Sequence, residues 1–555
     1  RHTGTPMDWP LRKTWLQDLA RRNKAEQYLA HYVASSDAEL NCFALRFKLA
    51  AKDADVSQLW PDVSKLWLVG KSQPNACDPL FAMWAAEGQL TEQKRWQRAK
   101  LAAEARNYGL VTHLIKTMPT LGNQGQRLLE VAQKPELLKQ TSRFTQTDPA
   151  MADVVGLGLR RLARQDPESA LKLLDGYAQR MKFSSDEQVA IAREIGLTLA
   201  KRFDSRALQV MAKYDPELRD NTVSEWRARL LLRLGRWDEA NQLTRRMPAE
   251  LGNTNRWRYW QARSLQLAQP NSQEPKALYQ TLAKERDFYG FMAADQVQAP
   301  YQLNNKPLAL NPKTVQKVRN SAAIRRALEF HARGQIADGR REWYNVSRLF
   351  SRDEMVAQAR LAYEMGWYFP AIRTISQAQY WDDLDVRFPM AHREHLVREA
   401  KNRDIHSSWV FAVTRQESAF MADAKSHVGA MGLMQLMPAT AKETAKRFGI
   451  PLSSPQLAYR PEVNIQLGAA YLSQIYGQFN GNRVLASAAY NAGPGRVRQW
   501  LRGADHLSYD VWIENIPFDE TRQYVQNVLS YSVIYGEKLN APQPLVAWHE
   551  RYFDQ

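Results

Sequence analysis

Two cysteines, Cys42 and Cys77, are all that this chain of 555 residues contains. They form no CxxC pair, and two thiols are too few for a structural zinc site. One disulfide in an oxidising compartment and a pair of buried thiols both stay open. No run of about 18 apolar residues occurs, so no transmembrane helix is expected. The opening Arg1-His2-Thr3-Gly4-Thr5-Pro6 has no apolar signal core. Any export leader is expected to have been removed or never to have been there. No His, Asp or Glu spacing suggests a metal site, and no cofactor is expected. Strand-like alternation is scarce, and up to about residue 380 glycine and proline are sparse inside segments.

Charge of one sign is what the chain has in excess: 76 Lys and Arg against 58 Asp and Glu, a net +18. Such a field attracts polyanions, among them nucleic acid, anionic cell-wall polymer and membrane headgroups. The basic residues are scattered among acids, with no long basic tail and no readout motif, so a nucleic-acid partner is not expected. Hydrophobic residues at 44% and charged residues at 24% are globular proportions, which argues against wholesale disorder. The 17 Trp and 22 Tyr suit sugar stacking and core packing alike, packing being the commoner use. At about 150 residues per domain the length allows three to four domains, unless a repeat array extends one of them.

The first two-thirds reads as helix after helix, rich in Ala, Leu, Gln, Arg and Glu. Asp148-Pro149, Asp215-Pro216 and Gly252-Asn253 punctuate it. Trp226-Arg227-Ala228-Arg229 returns 34 residues later as Trp260-Gln261-Ala262-Arg263. Leu234-Gly235-Arg236-Trp237-Asp238-Glu239-Ala240 follows the first copy, with echoes at Ala332-Arg333-Gly334-Gln335 and Tyr363-Glu364-Met365-Gly366-Trp367. This is the grammar of a helix-pair repeat: glycine ends one helix and alanine lets the next pack closely. Stacked pairs form a superhelix, and an irregular helical bundle is the plainer alternative. Near residues 380–400, Asp382-Asp383-Leu384-Asp385 and Phe388-Pro389 mark a boundary. Beyond it lies a compact segment of about 165 residues.

That segment holds the chemistry. Ser407 or Ser408 can cap a helix opening Trp409-Val410-Phe411-Ala412-Val413. Val410, Val413, Thr414 and Glu417 fall on one stripe of it. A carboxylate at the end of an apolar stripe is desolvated, its pKa rises, and it becomes a candidate general acid. A helix-end glutamate paired with an arginine such as Arg415 is the ordinary alternative. The next phrase, Ser426-His427-Val428-Gly429-Ala430-Met431-Gly432-Leu433-Met434-Gln435-Leu436-Met437-Pro438-Ala439-Thr440-Ala441, is not helical in character. Gly429 and Gly432 permit tight turns. Leu433, Met434 and Met437 supply apolar surface, Gln435 a polar hand, and Pro438 starts a new helix. Then come Ala488-Ala489-Tyr490-Asn491-Ala492-Gly493-Pro494-Gly495 and Glu514-Asn515-Ile516-Pro517-Phe518-Asp519-Glu520-Thr521-Arg522-Gln523-Tyr524.

Glu417-Ser418 and these three phrases, in this order, resemble the soluble lytic transglycosylases, and the preceding helices resemble the superhelical part of the large, 70-kDa periplasmic type. The resemblance implies a mainly α chain: an α-superhelical ring over 1–310, a helical linker over 311–388, and an α+β, goose-type-lysozyme-like catalytic domain over 389–555. It implies Glu417 as the sole catalytic acid and base. It places Ser426 beside Glu417 and puts Gln435, Met437, Tyr490 and Asn491 along a glycan groove. Glu514 and Tyr524 are to touch the muramoyl sugar or the catalytic helix. Plainer roles stand beside these: a turn cap for Ser426, core packing for the methionines, a helix-terminal charge or salt bridge for Glu514, surface or capping positions for His406 and His427. Many relatives carry Asn or Asp then Pro soon after Glu-Ser. Met421-Ala422 stands here instead, which leaves that turn open.

The implied reaction cleaves the β-1,4 bond between MurNAc and GlcNAc of peptidoglycan through attack of the MurNAc 6-hydroxyl, giving 1,6-anhydro ends. A hydrolytic muramidase of the same fold and a helical scaffold for other cell-wall enzymes are the rival readings. The partners implied are glycan strands and other cell-wall enzymes, with a membrane only through a removed lipid anchor. A monomer in the periplasm is expected, outer-membrane-associated if such an anchor existed. Deleting the residues before about 380 is expected to weaken action on intact sacculi more than on short muropeptides.

Overall fold

The computed structural model describes residues 2–51 and 55–553, so Arg1 of the opening phrase lies outside the described residues. All regular structure among these residues is helical, in keeping with the mainly α expectation. The β part expected of the final third is not built as strands. It comes down to isolated bridges: Lys425 with Met431, Met431 with Leu436, and Ser508 with Tyr552. Gly429 (φ +94°) and Gly432 (φ +75°) reverse the chain too soon for a ladder to extend.

The chain divides into two compact units, Arg1–Arg227 and Ala228–Gln555. In the first, the Asp148-Pro149 break starts the helix Pro149–Gln165. Asp148 accepts hydrogen bonds from the Ala150 and Met151 amides at 3.1 Å, and Pro149 sits where no amide proton is needed. This helix packs between Gly122–Gln133 and Pro167–Ala178. Val154, Val155 and Leu159 of this helix are each fully buried. Cys42 and Cys77 form a disulfide, which decides between the two alternatives the sequence left open.

In the second unit the repeat phrases fall at helix-pair turns. Gly235 (φ +66°) precedes the helix Trp237–Arg246, Gly334 (φ +74°) joins Ala322–Ala332 to Ile336–Ser347, and Gly366 (φ +72°) joins Arg352–Glu364 to Tyr368–Gln377. A side chain at φ > 0 is strained, so glycine is the fitting residue at each. Ala240 and Trp260 are fully buried, as the repeat grammar requires. Asp383 caps the short helix Leu384–Arg387 at the expected boundary.

Three helices of the final third frame the region around Glu417. Ser407–Ser418 runs along the 20-residue helix Asp519–Lys538, and Arg483–Ala492 packs against the same long helix. Phe411 stacks on Tyr535 at 5.0 Å, and the Trp409 indole donates to the Ser487 hydroxyl at 3.1 Å. Val410, Val413, Val484, Val525, Val528 and Leu529 are all fully buried.

Candidate active site

The helix carrying Glu417 begins at Ser407, and its cap is His406 rather than either serine. His406 Nδ1 accepts from the Ser408 amide at 3.2 Å and pairs with the Ser408 hydroxyl at 2.6 Å. Ser408 is turned inward, its hydroxyl 2.9 Å from that of Ser532. The apolar stripe faces the core, with Val410, Val413 and Thr414 fully buried. Glu417, one turn beyond, is partly exposed at its end. Ala419 (φ +48°) and Phe420 (φ +63°) then lie in the left-handed region, an uncommon pair for residues with side chains. They end the helix directly after the Glu417-Ser418 pair. The Met421-Ala422 segment closes as two tight turns, Met421 N to Ser418 O and Ala424 N to Met421 O, each 3.1 Å.

Tyr524 donates its hydroxyl proton to Glu417 Oε1 at 2.7 Å. One residue earlier, Gln416 accepts from Asn527 at 3.1 Å, so adjacent side chains of one helix are held by the other. Burial drives the Glu417 carboxyl up to about 8; the Tyr524 hydrogen bond opposes this, and the charge of Glu520 adds to it. Near neutral pH the group is therefore mostly protonated, with a phenol placed to hold the anion once the proton has gone. Tyr490 also feels the Glu417 charge, and its hydroxyl donates to the Met434 carbonyl at 2.8 Å.

The Ser426-to-Met437 phrase is a loop of turns. Ser426 Oγ accepts from the Ala430 amide at 2.9 Å, the capping role set beside its functional one. Met431, Leu433 and Met434 are core, whereas Met437 is 40% exposed at the start of the helix Pro438–Phe448. Gln435 adopts φ +47°, and its amide nitrogen holds its own loop through Gly432 O (2.7 Å) and Ala424 O (3.2 Å). Asn491 accepts from Thr521 at 2.6 Å, tying the end of one framing helix to the start of another.

Glu514 is a correction. It was expected to touch the sugar or the catalytic helix; instead it is 1% exposed and engaged by other protein groups. Oε1 accepts from Arg229 Nε at 3.0 Å, with Arg256 Nε at 3.8 Å. Oε2 accepts from the Trp260 indole at 3.0 Å and the Tyr289 hydroxyl at 2.7 Å. Against the cost of burial, these arginines hold its carboxyl down at about 2. The salt-bridge role is the one the structure bears.

Sequence reasoning passed over three residues. Glu520 sat unmarked inside a quoted phrase, one turn of helix before Tyr524. Asn527 lay three residues past Tyr524, on the same helical face. Asn464, fully buried, pins the loop by accepting from the Met434 amide (2.7 Å) and donating to Met431 O (3.0 Å) and Ala458 O (2.7 Å). No motif marked it; an asparagine inside an otherwise apolar helix was the available signal. Among the described residues no group of three or more His, Cys, Asp or Glu is placed to hold a metal.

Residues 395–513 match the family model of the transglycosylase SLT domain. Residues 317–384 match the soluble lytic murein transglycosylase L domain, and 515–544 the soluble lytic transglycosylase helical domain. Residues 54–133 also match a Cucumovirus coat protein model, inside a stretch that the relatives below align across. The soluble lytic murein transglycosylase of Salmonella typhimurium is 34% identical over 98% of this chain and 84% of its own length. That of Escherichia coli is 33% identical over the same shares. Among solved structures, lytic transglycosylase Slt of Pseudomonas aeruginosa, an inactive glutamate-to-glutamine mutant, superposes with TM-score 0.95 at 66% identity, covering 100% of this chain and 90% of that one. The 70 kDa soluble lytic transglycosylase of Escherichia coli gives TM-score 0.81 at 32% identity over the same shares, and it has also been solved with bulgecin A.

Proposed function

As the chain belongs to the soluble lytic murein transglycosylases, and is therefore an enzyme of peptidoglycan, we propose that Glu417 serves as its single acid and base at the β-1,4 bond between MurNAc and GlcNAc. The Glu417 carboxyl carries this reading: protonated near neutrality and bonded to Tyr524 at 2.7 Å. Neutral Glu417 gives its proton to the glycosidic oxygen as the bond to the MurNAc anomeric carbon breaks. The MurNAc acetamido carbonyl supports that carbon where a two-carboxylate glycosidase would use its second carboxylate. Carboxylate Glu417, stabilised by the Tyr524 hydroxyl, then takes the proton of the MurNAc 6-hydroxyl as O6 bonds to the anomeric carbon. A 1,6-anhydro end results, and no water is consumed. The relative whose glutamate-to-glutamine mutant is inactive supports a reaction that hangs on one glutamate.

In this reading Ser426, Gln435, Met437, Tyr490 and Asn491 line the glycan groove, Met437 offering the exposed apolar contact. The domain limits 1–310, 311–388 and 389–555 belong to the same proposal, supported by the L-domain match at 317–384 and the SLT-domain match at 395–513. A periplasmic location is supported by the Cys42–Cys77 disulfide, a bond that persists in oxidising compartments. No helix among the described residues is long and apolar enough to cross a membrane.

Digestion of purified peptidoglycan, read by mass spectrometry, tests the reaction. Anhydro-muropeptides, one water lighter than hydrolysed ones, are expected; reducing MurNAc ends would make the protein a muramidase. The pH profile tests the acid. Glu417 must start protonated, so kcat/KM is expected to fall about tenfold per pH unit above about 8. A fall beginning at the ordinary carboxyl value would contradict the assignment.

A further inference from the structure

We infer that a buried hydrogen-bond chain from Glu514 through Tyr289 to Gln526 positions Tyr524 against Glu417, so that residues of the upstream helical array help to set the catalytic carboxyl. The inference rests on the reading of Glu417 above and adds positioning residues to it.

Tyr289, on the helix Phe288–Gln296, has one hydroxyl with three partners. It donates to Glu514 at 2.7 Å and accepts from Arg256 Nε at 2.7 Å and Gln526 Nε2 at 2.8 Å. One proton and two acceptor sites are all that a hydroxyl has, so its orientation is fixed. Arg256 also donates to Gln526 Oε1 at 3.3 Å, and the Gln526 amide is thereby engaged at both ends. Gln526 is 1% exposed.

Gln526 belongs to Asp519–Lys538, the helix that carries Tyr524 and Asn527. Tyr524 and Asn527, three residues apart, share the face toward Glu417 and Gln416. Gln526 is two residues from Tyr524, about 200° around the helix, and it reaches the array on the other side. Arg522 Nη1 donates to Ile516 O at 2.8 Å and anchors the segment joining Glu514 to this helix. The helix is thus gripped on one face by Glu417 and Gln416 and on the other by Tyr289 and Arg256. A hydrogen bond of 2.7 Å tolerates only about half an ångström of drift before it weakens, so a helix held on both faces is what keeps it.

The titratable groups that face Glu417 are Tyr524 and Glu520 from the long helix and Tyr490 from Arg483–Ala492. On its own helix, Arg415 is directed away, donating to the Arg387 carbonyl at 2.8 Å. Tyr524 is the one of these whose hydrogen bond favours the carboxylate. Loosening it raises the pH at which Glu417 ionises.

The test is Tyr289→Phe in the full chain, which keeps the ring and removes only the hydroxyl. We expect kcat to fall about tenfold with KM within about twofold, a small misplacement being costly to chemistry rather than to binding. The alkaline limb of the profile should move to higher pH. The Glu417 carboxyl titration, followed by carbon NMR without substrate and identified by its loss in Glu417→Gln, should move the same way. Placed on Tyr524→Phe, the second substitution should add no shift. An unchanged Glu417 titration with activity tracking the folded fraction would overturn the inference, as would an equal shift in the Tyr524→Phe background. Gln526→Leu is the second variant should Tyr289→Phe not fold, with the same expectations. An active Glu417→Gln enzyme would sink the catalytic assignment, while the substrate-free titration would still judge the positioning.

Discussion

Glu417→Gln is expected to lower turnover on peptidoglycan by about a thousandfold or more while substrate binding is kept. A positioned general acid is commonly worth roughly 10²- to 10⁴-fold. Here one group serves both proton transfers, so the loss should lie toward the upper end. The amide keeps the shape of the carboxyl and can still accept from Tyr524, but it has no proton to give. The same substitution should stabilise the fold. The folded pKa of Glu417, about 8, lies above its ordinary 4.5. The stability tied to this group is complete below 4.5 and drains away as pH rises through 8, because ionisation is resisted in the folded chain. At about pH 7, roughly 2.5 units above 4.5, the drain approaches about 3.5 kcal/mol at most, at about 1.4 kcal/mol per pH unit. Glutamine removes it. Turnover, affinity for a glycan fragment and Tm across pH 4–9 measure the three effects. Retained activity, or a Tm difference that does not widen with pH, would sink the account.

Local devices were legible in the sequence because they are built from neighbours. Gly235, Gly334 and Gly366 each fall at a helix-pair turn with positive φ, where the repeat grammar puts them. The stripe from Val410 to Glu417 could be read by counting, since a helix repeats every 3.6 residues. Asp148 and Pro149 were legible as a break between helices, and in the structure that break is a helix start. What escaped was anything decided across the chain. Arg229, the partner of Glu514, lies 285 residues away in sequence, and no spacing rule reaches so far. The phrase around Glu514 held a family likeness and a buried ion pair at once; only the fold separates them. His406 stood in the sequence as a surface or capping residue beside two serines that cap better by type, and it takes the cap because Ser408 is drawn into the core by Ser532. The expected β element shrank to bridges because two glycines three residues apart turn the loop before strands can pair.

Glu514→Ala is expected to cost about 3–5 kcal/mol, the usual result of breaking one side of a buried ion pair. Arg229 is fully buried and would keep its charge after losing the carboxylate it donates to. The Trp260 and Tyr289 donors lose the same acceptor. The effect should depend on acid. With a folded pKa near 2 against an ordinary 4.5, Glu514 contributes stability that is full above 4.5 and lost as pH falls toward 2. The gap between wild type and variant should therefore narrow across that window in urea or thermal unfolding. A gap under about 1 kcal/mol at neutral pH would show that water or rearrangement replaces the pair. Replacing both partners, Arg229→Met with Glu514→Leu, should recover much of the loss, since apolar substitutes for a buried pair are often tolerated. The same geometry changes what a deletion of the helical array reports. Without Arg229, Arg256, Trp260 and Tyr289, Glu514 keeps the charge of Arg522 but loses the hydrogen bonds described above, and Asp510 loses Tyr259 and Arg263. Such a protein should lose activity on short muropeptides as well as on intact sacculi. Point substitutions on the array's outer surface, which leave this cluster intact, are the variants that can separate strand capture from support of the catalytic helix.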